Sequence, residues 1–321
     1  MKYEWKSALS AQIEAFIKAK QLAGFKYESQ SRILRHYDSY SYAKGIGGCR
    51  LVNEDVDGFC YGTYYEKACT IRNKETVLHD LGQYIQDCGD DAYICQKKTK
   101  VRRCRYTPYI YSENEICAFF RVIDGYHYRY KSTNRKLYPL FFRMLYGCGL
   151  RLSEALQLNV SDVDIQAGTI FIRQSKNDRT RMIPMAESLR QRCSDYLAGA
   201  LPANTDGVFF PNTRGNFIDH TTVYNKFREF LWAAGIHHTR QGPRIHDFRH
   251  TYCVHCMKNW VLSGKDIQNL QPYLMTYMGH ADFRGTEYYL RLTADLYPDI
   301  VEKCEVALGW LIPETAGPYC D

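Results

Sequence analysis

At 321 residues the chain is long enough for two domains that each bury a core, and its 45% hydrophobic and 24% charged content is ordinary for a globular protein. No apolar run approaches the roughly 20 residues of a membrane helix, and "MKYEWKSALS" carries Glu4 where a secretory leader would need an apolar stretch, so neither membrane insertion nor export is expected. The net charge of +7 permits a polyanionic partner without demonstrating one.

Leu9, Ile13, Phe16 and Ile17 recur at helical spacing and predict a first helix. "SQSRILRHYDSYSYAKGIGG" predicts a second, ended by glycines, and residues 52–64 and 68–88 supply two more amphipathic helices. Residues 1–95 are therefore expected to form a helical bundle. Most of the excess positive charge follows in "QKKTKVRRCRYTP", with Lys97, Lys98, Lys100, Arg102, Arg103 and Arg105. We read 96–107 as a basic interdomain linker, either solvated or lying as a strap along phosphates. "YSENEICAFFRVI" opens a new helix, with Ser112 as cap and Glu115 three residues on in a capping-box pattern. Pro139 is expected to start another, with Leu140, Phe141, Met144 and Leu145 on its buried face, and Gly147 and Gly149 to end it. "GTIFIRQS" and "TRMIPM" are β-like runs joined by the polar turn "KNDR", a hairpin signal. Helical patterns then resume. The fold expected is mainly α with a small β-sheet: an N-terminal helical bundle and a C-terminal mixed α/β domain over 108–292. In the tail, 293–321, Leu296, Ile300, Cys304, Ala307, Leu308 and Leu311 form an apolar helical stripe, either local core or a docking surface for a neighbouring protomer.

Several side chains in this second domain stand at helix starts or turns. In "YGCGLRLSEALQL" the glycines allow a tight turn, and Arg151 follows near the positive end of a new helix. Glu154, three residues on, either makes a plain intrahelical ion pair or holds a buried Arg151 aimed into a cleft. Lys176 sits at the hairpin tip. "GPRIHDFRHTYCVH" places His246 and Arg249 three residues apart, with His250 one turn beyond His246. Thirteen cysteines, odd in number and scattered, suggest reduced thiols in a cytosolic protein, several buried as small hydrophobes, rather than a disulfide framework. The C-x-x-C at Cys253 and Cys256, with His250 and His255 near it, leaves zinc conceivable, but a single helix cannot easily wrap a tetrahedral site. His280 is followed within ten residues by Tyr288 and Tyr289, either core fillers or one of them a nucleophile.

Two arginines, a lysine, two histidines and a tyrosine form the set that chemistry on a phosphodiester needs. Arginine forks grip the non-bridging oxygens, tyrosine attacks phosphorus, lysine protonates the departing oxygen and histidine helps to deprotonate the tyrosine. No carboxylate cluster stands ready for two metals, so a metal-free mechanism without cofactor is expected.

These segments resemble the tyrosine recombinase family, the phage-type integrases, whose pattern runs Arg, Lys, His-x-x-Arg, His or Trp, Tyr. "GLRLSEALQLNVSDVD" is similar to the first arginine box and carries that role to Arg151, with Glu154 as its support. "RQSKNDRTRMIP" resembles the lysine hairpin at Lys176, "HDFRHT" the His-x-x-Arg box at His246 and Arg249, and "YMGH" the box of His280. The family's tyrosine lies nine residues beyond that histidine, which selects Tyr289 over Tyr288. The resemblance spans 112–292. It implies that residues 1–95 form a core-binding domain, that the basic run straps a clamp around double-stranded DNA, and that a homo-tetramer assembles on DNA, with or without partner recombinases. The interval from Arg249 to His280 is longer than is usual in the family, with the extra length in "NWVLSGKDIQNLQPYL", and resembles a transposon-borne branch.

The function implied is a site-specific recombinase or integrase that breaks and rejoins DNA through a 3′-phosphotyrosyl bond, without ATP or metal, serving a mobile element from the nucleoid. Three other readings stay open at this stage. One is a DNA-binding regulator of the same fold that does not cleave. Another is a relaxing topoisomerase of the same chemistry. The third is a zinc hydrolase built on His246, His250 and Cys253.

Overall fold

The computed structural model describes residues 3–48, 50–63, 65–101, 107–128, 133–173, 180–199, 207–239, 242–279 and 289. The chain divides into two compact units, Met1–Arg105 and Tyr106–Asp321. Among the described residues no helix is long and apolar enough to cross a membrane.

The first unit packs four helices: α1 (Ser10–Leu22), α2 (Glu28–Ala43), α3 (Asn53–Tyr61) and α4 (Ala68–Asp87). Their apolar stripes meet in a core that includes Ile13, Phe16, Leu34, Tyr37, Val56, Phe59, Leu78 and Leu81. Two buried carboxylates tie down the flanking chain. Asp38 accepts the backbone N–H of Ser7 at 2.8 Å and the hydroxyl of Tyr3 at 2.9 Å, fixing the segment before α1. Glu75 accepts the hydroxyl of Thr99 at 2.6 Å, its backbone N–H at 3.0 Å, and the hydroxyl of Tyr61 at 2.6 Å. The basic run therefore begins as part of this unit. Lys97 lies 3.9 Å from Asp80 and Lys98 3.6 Å from Asp57. Lys100 is exposed, while Arg102, Arg103 and Arg105 lie outside the described residues.

The second unit opens with α5 (Glu113–Gly125), α6 (Asn134–Gly147) and the short α7 (Leu152–Leu156). A single 3-10 turn at Val160–Asp162 leads into β1 (Val163–Asp164), β2 (Thr169–Ile172) and β3 (Arg181–Pro184). Among the described residues four helices follow: α8 (Glu187–Gly199), α9 (His220–Ala233), α10 (Asp247–Leu262) and α11 (Ile267–Met278). The strands form one antiparallel sheet in the order β1-β2-β3, with Ile170 opposite Ile183, so the expected hairpin is the β2–β3 pair. Phe119, Phe142, Phe227, Phe230 and Phe248 meet at centroid distances of 5.0–6.3 Å, edge-to-face or tilted except for the stacked pair Phe142–Phe227, joining α5, α6, α9 and α10 around one aromatic core. The helix α10 is buried on most of its circumference, from Phe248 and Arg249 through Cys253, Val254 and Met257. It is the rigid element from which the site is built.

The capping box of α5 is present: the Ser112 hydroxyl accepts from the backbone of Glu115 at 3.2 Å, and the Glu115 carboxylate accepts from the backbone of Ser112 at 2.8 Å. Ser112→Ala is expected to cost about 1 kcal/mol, the usual worth of such a cap, seen as a lower midpoint in urea unfolding.

Pro139 does not start α6. The helix begins at Asn134 and carries the proline inside it. Leu137 and Tyr138 are buried together with Leu140, Phe141 and Phe142, so apolar packing on both sides of Pro139 outweighs the one backbone bond its ring removes. The extra length between Arg249 and His280 is helix rather than loop: α10 runs on to Leu262, and α11 starts at Ile267 under an Asp266 cap that accepts from Gln268 at 2.9 Å. The tail stripe over 293–321 lies outside the described residues.

Candidate active site

The site grows from the break between α6 and α7. Gly149 adopts φ 57°, and a Cβ there would lie 2.8 Å from the Met278 sulfur and 3.0 Å from Cδ1 of Tyr252, so only glycine lets the turn press against α10 and α11. The turn delivers Arg151 to the N-cap of α7. Its Nη1 lies 2.8 Å from Oε1 of Glu154, whose other oxygen accepts the Arg151 backbone N–H at 2.9 Å.

The pair is the i, i+3 one, with Glu154 buried and Arg151 partly exposed. Glu154 has a second cationic partner that the sequence reading missed. Arg181, the first residue of β3, forks onto the carboxylate through Nη1 at 2.9 Å and Nη2 at 2.7 Å. A carboxyl this buried would normally be pushed up in pKa. The bonds from Arg181 and Arg151 more than offset that burial and hold it down to about 2.

The three arginines converge on the end of α11. Arg181 Nε donates to the carbonyl of Tyr277 at 2.9 Å, Arg249 Nη2 donates to that of Met278, and Arg151 Nη2 donates to that of Gly279 at 2.9 Å. Three successive carbonyls at the negative end of a helix thus each meet a guanidinium, the arrangement that the helix dipole favours. Arg249 also donates through Nη1 to the carbonyl of Gly149, which ties the two turns together. Gly279 sits at φ 65°, and a Cβ there would lie 3.0 Å from Arg181 Nη1. His280 follows directly in sequence.

These contacts use part of the five N–H donors on each guanidinium. The Arg151 side chain keeps 20% of its surface exposed, whereas Arg249 is 2% exposed. Arg249 is therefore a buried charge, while Arg151 is partly open to solvent. Burial, with the repulsion of Arg151, pushes Arg249 down to about 10, still a cation at neutral pH.

His246 is the N-cap of α10 and has solvent at its surface. Desolvation by its surroundings and the guanidiniums of Arg249 and Arg151 push its pKa down to about 4. The openness of the ring argues for a smaller desolvation effect, but the two cations act regardless, so the ring is neutral at pH 7. One turn on, His250 packs edge-on against His246, with centroids 4.8 Å apart. Tyr289 is 4% exposed, its ring lodged among Cys253, Val254, Met257, Leu274 and Met278. Its hydroxyl lies 2.7 Å from Nδ1 of His250.

The structure thus brings Arg151, His246, Arg249 and Tyr289 together, with Glu154 as the support of Arg151. Lys176, His280 and Tyr288 lie outside the described residues. Sequence reasoning missed two members of the cluster. The available signal for Arg181 was strand alternation, since it shares the inward face of β3 with Ile183. The signal for His250 was its place one turn beyond His246. The zinc reading finds no support in the donors: among the described residues no three of His, Cys, Asp and Glu come together as a metal group.

Residues 113–295 match the model of the phage integrase family. The chain is 32% identical over 303 residues to the putative integrase/recombinase y4rE of Sinorhizobium fredii, covering 92% of this chain and 95% of that protein. Among solved structures, the fold is similar to a Tn1549 transposon integrase in complex with a circular intermediate DNA, at TM-score 0.59 and 18% identity, over 87% of this chain and 94% of that one. It is likewise similar to a lambda integrase dimer bound to a COC′ core site, at TM-score 0.60 and 15% identity, over 87% and 76% of the two chains. With more than half its length matched to the family model and a relative alike along almost the whole chain, this protein belongs to the phage integrase family and is a tyrosine recombinase, a DNA breaking-and-rejoining enzyme.

Proposed function

We propose that Tyr289 attacks a DNA phosphodiester to form a 3′-phosphotyrosyl bond and release a 5′-hydroxyl, which then attacks the same kind of linkage on a second strand. The bond energy is retained in the covalent intermediate, so the exchange needs neither ATP nor a metal. Arg151, Arg249 and His280 steady the phosphate and its developing charge. Lys176 protonates the departing 5′ oxygen, and His246 assists the proton traffic. What supports this reading is the placing of a buried tyrosine hydroxyl at the edge of a clustered set of arginines held by one carboxylate and one helix end.

Around that chemistry, residues 1–95 serve as a core-binding domain and the basic run as a strap along the DNA backbone. The tail beyond 292 docks on a neighbouring protomer, so that a tetramer forms on two duplexes. The reaction moves a mobile element by integration, excision or transposition. Affinity set by many phosphate contacts should fall on the order of 10³-fold or more when salt rises a few-fold.

The test is a nicked duplex carrying the element's end sequence, incubated with the protein in EDTA and run on a denaturing gel. A protein–DNA band that resists denaturation is expected. Tight binding with no such band would favour a regulator of the same fold. Efficient relaxation of plasmids lacking that sequence would favour a topoisomerase.

A further inference from the structure

His250 lies outside the set carried over from the family pattern. We infer that His250 takes the phenolic proton of Tyr289 as that oxygen attacks phosphorus, and returns it when the strands are rejoined. The inference rests on the reading of Tyr289 as nucleophile.

Geometry comes first for a general base, which must lie within hydrogen-bond reach of the proton it removes. His250 Nδ1 stands 2.7 Å from the Tyr289 hydroxyl. It reaches that place from α10, whose residues from Asp247 to Met257 are largely buried. Arg249 precedes it in the chain and is clamped to two carbonyls. Thr251 follows, and its hydroxyl accepts the backbone N–H of Tyr111 at 3.1 Å. The neighbours on either side therefore hold this turn still. The Tyr289 ring is packed at 4% exposure, so the hydroxyl has little freedom to leave its partner without moving the whole side chain.

His246, the histidine proposed to assist proton transfer, stands one turn away with its ring against His250 and not against the tyrosine. It is also held below the ordinary histidine pKa range by desolvation and by Arg249 and Arg151 beside it. It is suited to orient His250 or to bond to the phosphate.

The step balances as follows. A neutral His250 carrying hydrogen on Nε2 accepts at Nδ1. As the bond from the tyrosine oxygen to phosphorus forms, the phenolic proton passes to Nδ1 and leaves an imidazolium beside the phosphate anion. The bond from phosphorus to the 5′ oxygen breaks, and that oxygen takes its proton from the donor proposed at Lys176. In rejoining, a 5′-hydroxyl attacks phosphorus and gives its proton back to the group proposed at Lys176, the tyrosine oxygen departs, and His250 returns the phenolic proton to it.

The test uses full-length protein, single-turnover cleavage of a nicked suicide duplex, and a filter-binding measurement of DNA affinity. His250→Ala should slow cleavage by about 10²–10³-fold, within the range a positioned acid–base group contributes, and leave DNA affinity within about two-fold. In His250→Asn the side-chain carbonyl can still accept from the hydroxyl but cannot carry its proton away, so cleavage should stay slow. Replacing Tyr289 by a fluorotyrosine, whose phenol is more acidic, should recover at least about ten-fold of the rate lost in both variants while changing the otherwise wild-type enzyme little.

Cleavage by either variant within about three-fold of wild type would overturn the inference, as would a fluorotyrosine that recovers nothing. Should the alanine variant melt early, the asparagine variant decides by the same two readings. A covalent band that persists in Tyr289→Phe would instead remove the nucleophile reading beneath it. A band lost in Tyr289→Phe but formed at the wild-type rate in the His250 variants would remove this inference alone.

Discussion

Tyr289→Phe is expected to bind DNA like the wild type and to form no covalent complex. The substitution deletes one oxygen. The ring stays in its pocket among Cys253, Val254, Met257, Leu274 and Met278, so packing is conserved. The hydrogen bond to His250 is lost, which costs about 1 kcal/mol of stability by the usual worth of such a bond. Loss of a covalent nucleophile costs far more in rate, on the order of 10⁶-fold where it has been isolated in other enzymes, so the gel should be empty over any practical time. A band that survives in Tyr289→Phe and vanishes in Tyr288→Phe would transfer the role to the neighbouring ring.

Glu154→Ala is expected to produce the largest loss of stability in the second unit. Glu154 is the shared counter-charge of Arg151 and Arg181, and the Arg181 side chain is only 6% exposed. Removing one partner of a buried ion pair leaves the other charge uncompensated and typically costs about 3–5 kcal/mol. For a unit of this size that is a fall in melting temperature on the order of 10 °C. Cleavage should fall as well, because Arg151 keeps its bond to Gly279 but loses the carboxylate that fixes its direction.

The pH dependence follows from the same carboxylate. Its pKa is held from an ordinary 4.5 down to about 2, so the stability it provides is fully present above about pH 4.5 and fades as pH falls toward 2. Denaturant unfolding should show wild type more stable than Glu154→Gln at pH 7, with the gap narrowing on approach to pH 2. A gap that stays constant between pH 7 and 2.5 would contradict the assignment.

What could be seen in the sequence and what could not divides along the range of the forces involved. The capping box of α5 was legible because Ser112 and Glu115 bond within one turn. The β2–β3 hairpin was legible because alternation and a polar turn are local patterns. Pro139 misled because a proline is favoured at a helix start yet tolerated where strong packing surrounds it, and the burial of Leu137 and Tyr138 depends on the rest of the unit.

The Arg151 box was legible as a turn and a helix start, but its second half was not. Arg181 meets Glu154 across 27 residues of sequence, and although alternation with Ile183 marks its inward face, nothing local names its partner. The clasp on Tyr277, Met278 and Gly279 was hidden for a simpler reason: its acceptors are backbone carbonyls, which every residue has. His250 was visible as a histidine one turn from His246, but its partner Tyr289 is 39 residues away. The choice of Tyr289 over Tyr288 came from family spacing, since the two rings are chemically the same. The basic run was read as linker from residue 96, and only the folded chain places Thr99 on the buried carboxylate of Glu75.

The most direct measurement is to isolate the protein–DNA adduct from a suicide substrate, digest both components, and sequence the nucleotide-bearing peptide by mass spectrometry. The account predicts a single modified residue, Tyr289, joined to the 3′-phosphate end of the cleaved strand, with a free 5′-hydroxyl on the released piece. A nucleotide on Tyr288 or on any other residue, or a link to the 5′ end, would contradict it.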